Sequence, residues 1–227
     1  MSWREWIRTI EVEPSLYAAD FSRLGEQVDV LLRAEARVFH FDVGDGHFVP
    51  PITTGPIVLQ WIAPLVHRAG GVLDCHLMVE EPERHFAQFR EAGADSVTVH
   101  FEACPDLAGV VAQAREHELR VGLALNPETE VEPAAGAALE AEVDLVLCMS
   151  VHPGYSGQDF IPESIDRVRT LRELLPESVP VQVDGGVGSG NIRDLYDAGA
   201  TLLVAATAIF GKEDLPRAYR RLVQALA

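Results

Sequence analysis

Lysine is almost absent from this chain. Lys212 is the only one, near the C-terminus and just ahead of Glu213 and Asp214. Catalysis through a lysine Schiff base, or through a lysine carried on a barrel strand, needs that residue elsewhere, so those chemistries are excluded. Basic charge is scarce throughout: 18 Lys and Arg stand against 35 Asp and Glu, a formal net charge of −17. Such a chain repels nucleic acid and anionic membranes unless a local basic patch overrides the mean. The densest basic cluster, Arg217, Arg220 and Arg221, reads as a solvated helix face, so no nucleic-acid partner is expected. No stretch approaches about 18 consecutive apolar residues, and no membrane span is expected either. Cysteine is sparse and odd in number: Cys75, Cys104 and Cys148. That usage points to reduced thiols and an intracellular, cytoplasmic setting. Met1–Ile10 mixes Trp, Arg and Glu and lacks the apolar core of a secretory signal.

What is present is regular. Short apolar runs alternate with charged amphipathic segments about a dozen residues long. The runs are Ile10–Pro14, Val38–Val43, Val72–Met78, Ser96–His100, Val121–Leu125, Leu145–Met149, Val179–Asp184 and Leu202–Ala205. Helices are expected between them, over Phe21–Ala34, Pro82–Ala92, Asp106–Glu118, Pro162–Leu174 and Asn191–Ala198 among others. Ala92-Gly93-Ala94 and Ala198-Gly199-Ala200 read as helix C-caps leading into the next strand. Strict β-α alternation with near-continuously apolar strands argues for a parallel sheet buried on both faces. Eight units in 227 residues favour one closed (β/α)8 TIM barrel, of class α/β, over an open doubly wound sheet. No composition shift marks a second domain. Residues 1–12 read as an N-terminal extension whose Trp3 and Trp6 make either a subunit contact or a cap at the barrel bottom.

Polar residues interrupt the apolar runs near their C-terminal ends, where barrel active sites are built. His40 and Asp42 are an i, i+2 pair, so on a strand they share one face and Phe41 takes the other. His76 stands on the next strand at similar height, and Asp184 comes from the seventh. Two imidazoles and two carboxylates suit one divalent metal: Zn, Fe(II), Mn or Co. Without a cation, carboxylates this close would repel and one would hold a proton. The competing reading makes His40 and His76 hydrogen-bonded core histidines. His47 is expected to anchor a loop and His100 to form a pocket wall.

Glycine-rich loops follow the late strands. Gly185 and Gly186 continue from Asp184, Ala206-Thr207 follows strand eight, and Gly154–Gly157 lies in the loop after strand six. There backbone N–H groups can approach an anion closely, and helix starts add partial positive charge. Loops after strands seven and eight are the usual phosphate site of such barrels.

The segments Pro14-Ser15-Leu16, His40–Pro50, His76-Leu77-Met78-Val79, Pro153–Gln158 and Val183–Val187 resemble the ribulose-phosphate 3-epimerase family, in its order and spacing, from about Glu13 onward. The resemblance implies one divalent metal per subunit, held by His40, Asp42, His76 and Asp184. It implies a homo-oligomer acting on a phosphorylated ketose, interconverting D-ribulose 5-phosphate and D-xylulose 5-phosphate. Asp42 and Asp184 would be the acid/base pair. Ser15, His76, Gly154, Tyr155, Ser156, Gly157, Asp184, Gly185, Gly186, Ala206 and Thr207 would contact substrate. Two carboxylates on opposite sides of a carbon next to a carbonyl suit epimerisation through an enediolate.

Several positions depart from the family's usual pattern. Gly44 stands where Met is common, which is expected to enlarge the pocket. Ala206-Thr207 replaces Gly-Ser or Gly-Thr, Ser156 replaces a glycine, and His152 precedes Pro153 where Asn or an acid is usual. Met78 and Met149, which the family places over substrate, are kept; simple core filling is the other reading. These departures, with Leu73–Val79 and Leu125–Thr129, leave D-allulose 6-phosphate 3-epimerisation as an alternative activity. The rival enzyme class, a decarboxylase or aldolase on the same barrel, lacks its lysine. A barrel that only binds a sugar phosphate would show no proton exchange.

Overall fold

A computed structural model describes residues 3–226, with the backbone alone for Arg4 and Glu5. The eight apolar runs form eight parallel strands: β1 (Glu11–Pro14), β2 (Val38–Gly44), β3 (Val72–Met78), β4 (Ser96–His100), β5 (Arg120–Leu125), β6 (Leu145–Met149), β7 (Val181–Asp184) and β8 (Leu202–Ala205). From β2 to β8 each strand pairs with its sequence neighbour, and β1 pairs with β8 from Glu11–Leu202 to Pro14–Ala205. A parallel bridge from Ser15 to His40 joins β1 to β2 and closes the ring. An open doubly wound sheet would leave two edges, so the barrel reading holds.

The helices are α1 (Trp3–Trp6), α2 (Leu24–Arg33), α3 (Pro56–Arg68), α4 (Phe86–Ala92), α5 (Leu107–Glu116), α6 (Val131–Glu140), α7 (Ser164–Leu174), α8 (Ile192–Asp197), α9 (Thr207–Phe210) and α10 (Leu215–Gln224). Local chemistry sets several ends. Asp106 accepts from Gly109 N–H to start α5, and Asp214 accepts from Arg217 N–H to start α10. Gly93 (φ 100°) follows α4 and Gly199 (φ 111°) follows α8, as expected of C-cap glycines. Two expected helices start later than the sequence suggests, because Phe21–Arg23 and Pro82–His85 are 3₁₀ turns.

The period-two alternation of each strand sorts the interior from the shell. Phe39, Phe41 and Val43 of β2, with Leu73, Cys75 and Leu77 of β3, pack outward against the helices. Inside, the lower barrel is apolar: Val38, Val72, Leu145 and Leu202 form one cluster with the buried Trp3. Trp3 therefore caps the bottom, one of the two roles open to this segment. Above it the interior turns polar. Glu13, His40, Asp74, His76, Ser96, Thr98, His100 and Gln182 are all fully buried.

Candidate metal and catalytic site

Register alone places three of the four expected ligands side by side. Asp42 of β2 is level with His76 of β3, and His40 sits two residues below on the same inward face. Asp184 ends β7, across the barrel. His40, Asp42, His76 and Asp184 each offer one donor atom, and those atoms all lie within 4.8 Å of one another. Asp42 Oδ1 is 3.3 Å from His40 Nε2 and 3.1 Å from His76 Nδ1. Asp184 Oδ2 is 3.9 Å from His40 Nε2 and 3.8 Å from His76 Nδ1. A tetrahedral ion with bonds of about 2.1 Å needs donors about 3.4 Å apart, and these separations bracket that value. Neither His40 ring nitrogen has a hydrogen-bond partner although both are buried. A satisfied core histidine would have one. The donor set and its orphaned imidazole fit a divalent cation.

The electrostatics agree. Burial pushes Asp184 up, and the neighbouring Asp42 charge adds to it, to about 7. Burial works on Asp42 in the same direction, but His40 and His76 outweigh it and hold that carboxyl well below the usual range. Burial tends to lower His40, yet Asp42, Asp74 and Asp184 win and raise it well above an ordinary imidazole. This is the conflict of adjacent buried carboxylates that a cation relieves. The Ser15 hydroxyl donates to Asp42 Oδ2 at 2.7 Å.

A cleft opens above this cluster. Ser15, Asp42, Asp184, Gly154–Gly157, Gly185, Gly186, Ala206 and Thr207 all line it, and Met78 and Met149 form an apolar wall. No lysine or arginine lines it among the described residues. The turn after β7 is fixed by glycine. Gly185 has φ 122°, and a Cβ there would come within 2.5 Å of Val151 Cγ2. Ser150 braces the same turn by donating to the carbonyls of Asp184 (2.9 Å) and Gly185 (2.6 Å).

Four expectations change. His76 is fully buried, level with Asp42 and 3.8 Å from Asp184 Oδ2; it does not line the cleft. His100 is no pocket wall either: it lies behind His76, with Nε2 atoms 2.8 Å apart. His47 is exposed, and its loop is tied by Asp45, which accepts from the N–H groups of His47, Phe48 and Glu80 at 2.8–2.9 Å. Gly44 does not enlarge the cleft. A Cβ there would meet Pro51 O at 2.8 Å and Val49 Cγ2 at 2.9 Å, so this loop already fills the space a larger residue would take.

Sequence reasoning missed further buried polar groups below and beside the cluster. Asp74 Oδ2 lies 3.4 Å from His40 Nδ1 and accepts from Gln182 Nε2 at 2.9 Å. Asp74 Oδ1 accepts from Ser96 at 2.7 Å, and Gln182 also donates to Glu13 at 2.7 Å. Glu102 accepts from His100 Nδ1 at 3.2 Å. The signal was available as spacing: Asp74-x-His76 and His100-x-Glu102 repeat the i, i+2 pattern of His40-x-Asp42.

Comparison with known proteins points one way. The model of the ribulose-phosphate 3 epimerase family matches residues 11–210. A ribulose-phosphate 3-epimerase of Bacillus subtilis is 38% identical over 213 residues, covering 92% of this chain and 96% of the relative. That of Synechocystis sp. is 42% identical over 211 residues, covering 89% and 88%. A solved 3-hexulose-6-phosphate synthase shares the fold with a TM-score of 0.75 over 96% of this chain and all (100%) of that one, at 21% identity.

Proposed function

This chain belongs to the ribulose-phosphate 3-epimerase family, and on that premise we propose that it interconverts D-ribulose 5-phosphate and D-xylulose 5-phosphate. The activity is that of a carbohydrate epimerase, an isomerase. One observation carries the mechanism: Asp42 of β2 and Asp184 of β7 both open onto the cleft, from strands on different sides of the barrel. One carboxylate takes the proton from the carbon beside the carbonyl, giving an enediolate. The other, protonated, delivers to the opposite face. Ser15 orients the Asp42 carboxylate through its hydrogen bond. His40, Asp42, His76 and Asp184 would hold the divalent ion, whether Zn, Fe(II), Mn or Co. When bound it supplies Lewis-acid stabilisation of the negative charge that grows on the enediolate oxygens.

Gly185, Gly186, Ala206 and Thr207 would receive the phosphate through backbone N–H groups, which fits a cleft without basic side chains. The Gly154–Gly157 segment, with Tyr155 and Ser156, would close over the sugar; Tyr17 already donates to Gly154 O at 3.1 Å. Met78 and Met149 would exclude water. The six-carbon alternative is not favoured, because the relatives carry the five-carbon name and Gly44 adds no room. Turnover compared on ribulose 5-phosphate and allulose 6-phosphate tests the choice. Preference for the six-carbon sugar would reverse it.

The decisive experiment is solvent-deuterium incorporation into substrate at C3. Exchange with epimerisation is expected; binding without exchange would leave only a sugar-phosphate binding protein. We further place a homo-oligomer contact on the exposed apolar face of Phe21, Ile57 and Trp61, the last 76% exposed. Sedimentation of Trp61→Glu beside the unaltered protein checks it. The three buried, unpaired thiols fit a reducing cytoplasm.

A further inference from the structure

Behind His76 runs a buried chain of polar groups that the proposed reaction does not use. His76 Nδ1 faces Asp42 Oδ1, while its Nε2 points away from the cleft, 2.8 Å from His100 Nε2. His100 Nδ1 lies 3.2 Å from Glu102 Oε2. The other Glu102 oxygen is already committed: Oε1 accepts from the Asn126 N–H at 2.9 Å and from the Thr129 hydroxyl. Both imidazoles are fully buried and stacked with planes 24° apart, and the Phe48 ring packs on His100 at 4.7 Å between centroids.

A cation shared by Asp42 and His76 would take the place of a hydrogen between Asp42 Oδ1 and His76 Nδ1, 3.1 Å apart, and with that end filled donor and acceptor counting fixes the hydrogens along the rest of the chain. A neutral imidazole has one N–H and one lone pair, and a carboxylate only accepts. His100 Nδ1 therefore carries hydrogen toward Glu102, and its Nε2 carries the lone pair. Only one hydrogen fits between two nitrogens 2.8 Å apart, so it belongs to His76 Nε2. His76 Nδ1 is then left with its lone pair aimed at the four-donor cluster. The opposite tautomer would aim an N–H there and prevent ligation.

We propose that Glu102 is a positioning residue that sets the tautomer of His76 through His100, so that Nδ1 presents a lone pair to a divalent ion. The inference rests on the reading that this cluster holds metal. It predicts a specific effect for Glu102→Gln. The amide oxygen of Gln would stay with the Asn126 and Thr129 donors, leaving its NH2 toward His100 Nδ1. Every donor in the chain then reverses, and His76 Nδ1 acquires the hydrogen.

The test uses the whole protein, unaltered and as Glu102→Gln, with Mn2+ as the probe. Free Mn2+ is counted by electron paramagnetic resonance, and the tautomers are read by 15N NMR of labelled histidines with diamagnetic Zn2+ present at one concentration for all forms. The expected results are His76 protonated at Nε2 in the unaltered protein and at Nδ1 in the variant, with Mn2+ affinity weakened by about 10- to 100-fold. Glu102→Asp, which keeps an acceptor, should retain the original tautomer. Unaltered protein with hydrogen on His76 Nδ1 overturns the proposal, and so does a variant with unchanged tautomer and Mn2+ affinity. If the variant does not fold, the tautomer of the unaltered protein still decides. If the unaltered protein takes no stoichiometric Mn2+, the metal reading fails on its own, distinguishable from a wrong tautomer.

Discussion

Asp184 is the residue on which the proposed chemistry turns. Asp184→Asn keeps size and hydrogen bonding but removes the proton carrier at β7. It should lower kcat by at least about 10³-fold, a loss of about 4 kcal/mol in transition-state stabilisation, with an unchanged circular dichroism spectrum. An Asn variant with near-normal deuterium exchange would overturn the two-carboxylate mechanism. Gly185 belongs to the same turn. Gly185→Ala combines a left-handed φ with a contact of 2.5 Å to Val151. We expect at least about 2 kcal/mol of destabilisation by urea titration, and a raised KM from the distorted phosphate loop. The four cluster residues were legible because each is polar on an otherwise apolar strand. Glu13, Asp74 and Glu102 went unread although the spacing of the last two repeats His40-x-Asp42, because none of the three stands at a strand's C-terminal end. Their inward direction follows from register, and register comes only with the assembled barrel.

At the scale of elements, strands were read almost to the residue and helix starts less well. Strands buried on both faces leave an unbroken apolar signature, whereas the 3₁₀ turn Pro82–His85 opens on Pro followed by charged residues, as a helix start would. The loop after β2 shows what composition cannot say. Glycine in place of a large Met invited the idea of spare room at Gly44, but Asp45 folds the loop back so that Val49 and Pro51 fill that room and Val49 also approaches Gly154. Asp45→Ala should free this loop. Faster proteolysis within 45–55 and a several-fold drop in kcat/KM are the measurements. Trp3 seals the other end. Trp3→Ala should cost about 3–5 kcal/mol by denaturant titration while leaving KM unchanged, since the plug lies at the far end of the barrel from the cleft.

For the molecule as a whole, both the alternation and the closed barrel were legible, since eight β-α units in this length favour closure, and β1 beside β8 bears that out. The polar middle of the barrel makes stability depend on what the cluster holds. An ion present at about 1,000 times its dissociation constant adds about 4 kcal/mol, so dialysis against a chelator should lower Tm by about 10 °C for a chain of this size. Readdition of Mn2+ or Zn2+ should restore it, and a Tm indifferent to both would argue against a bound ion.

The seam at Ser15–His40 has a consequence for how the protein comes into being. His40, Asp42 and His76 leave the ribosome early, whereas Asp184 and the strand that locks β1 in place are made near the end. A growing chain thus displays three of four donors long before the fourth exists. The competent centre is born only when the first strand and the last have met, and any shortening that removes β8 unfastens the ring right beside the candidate metal ligands.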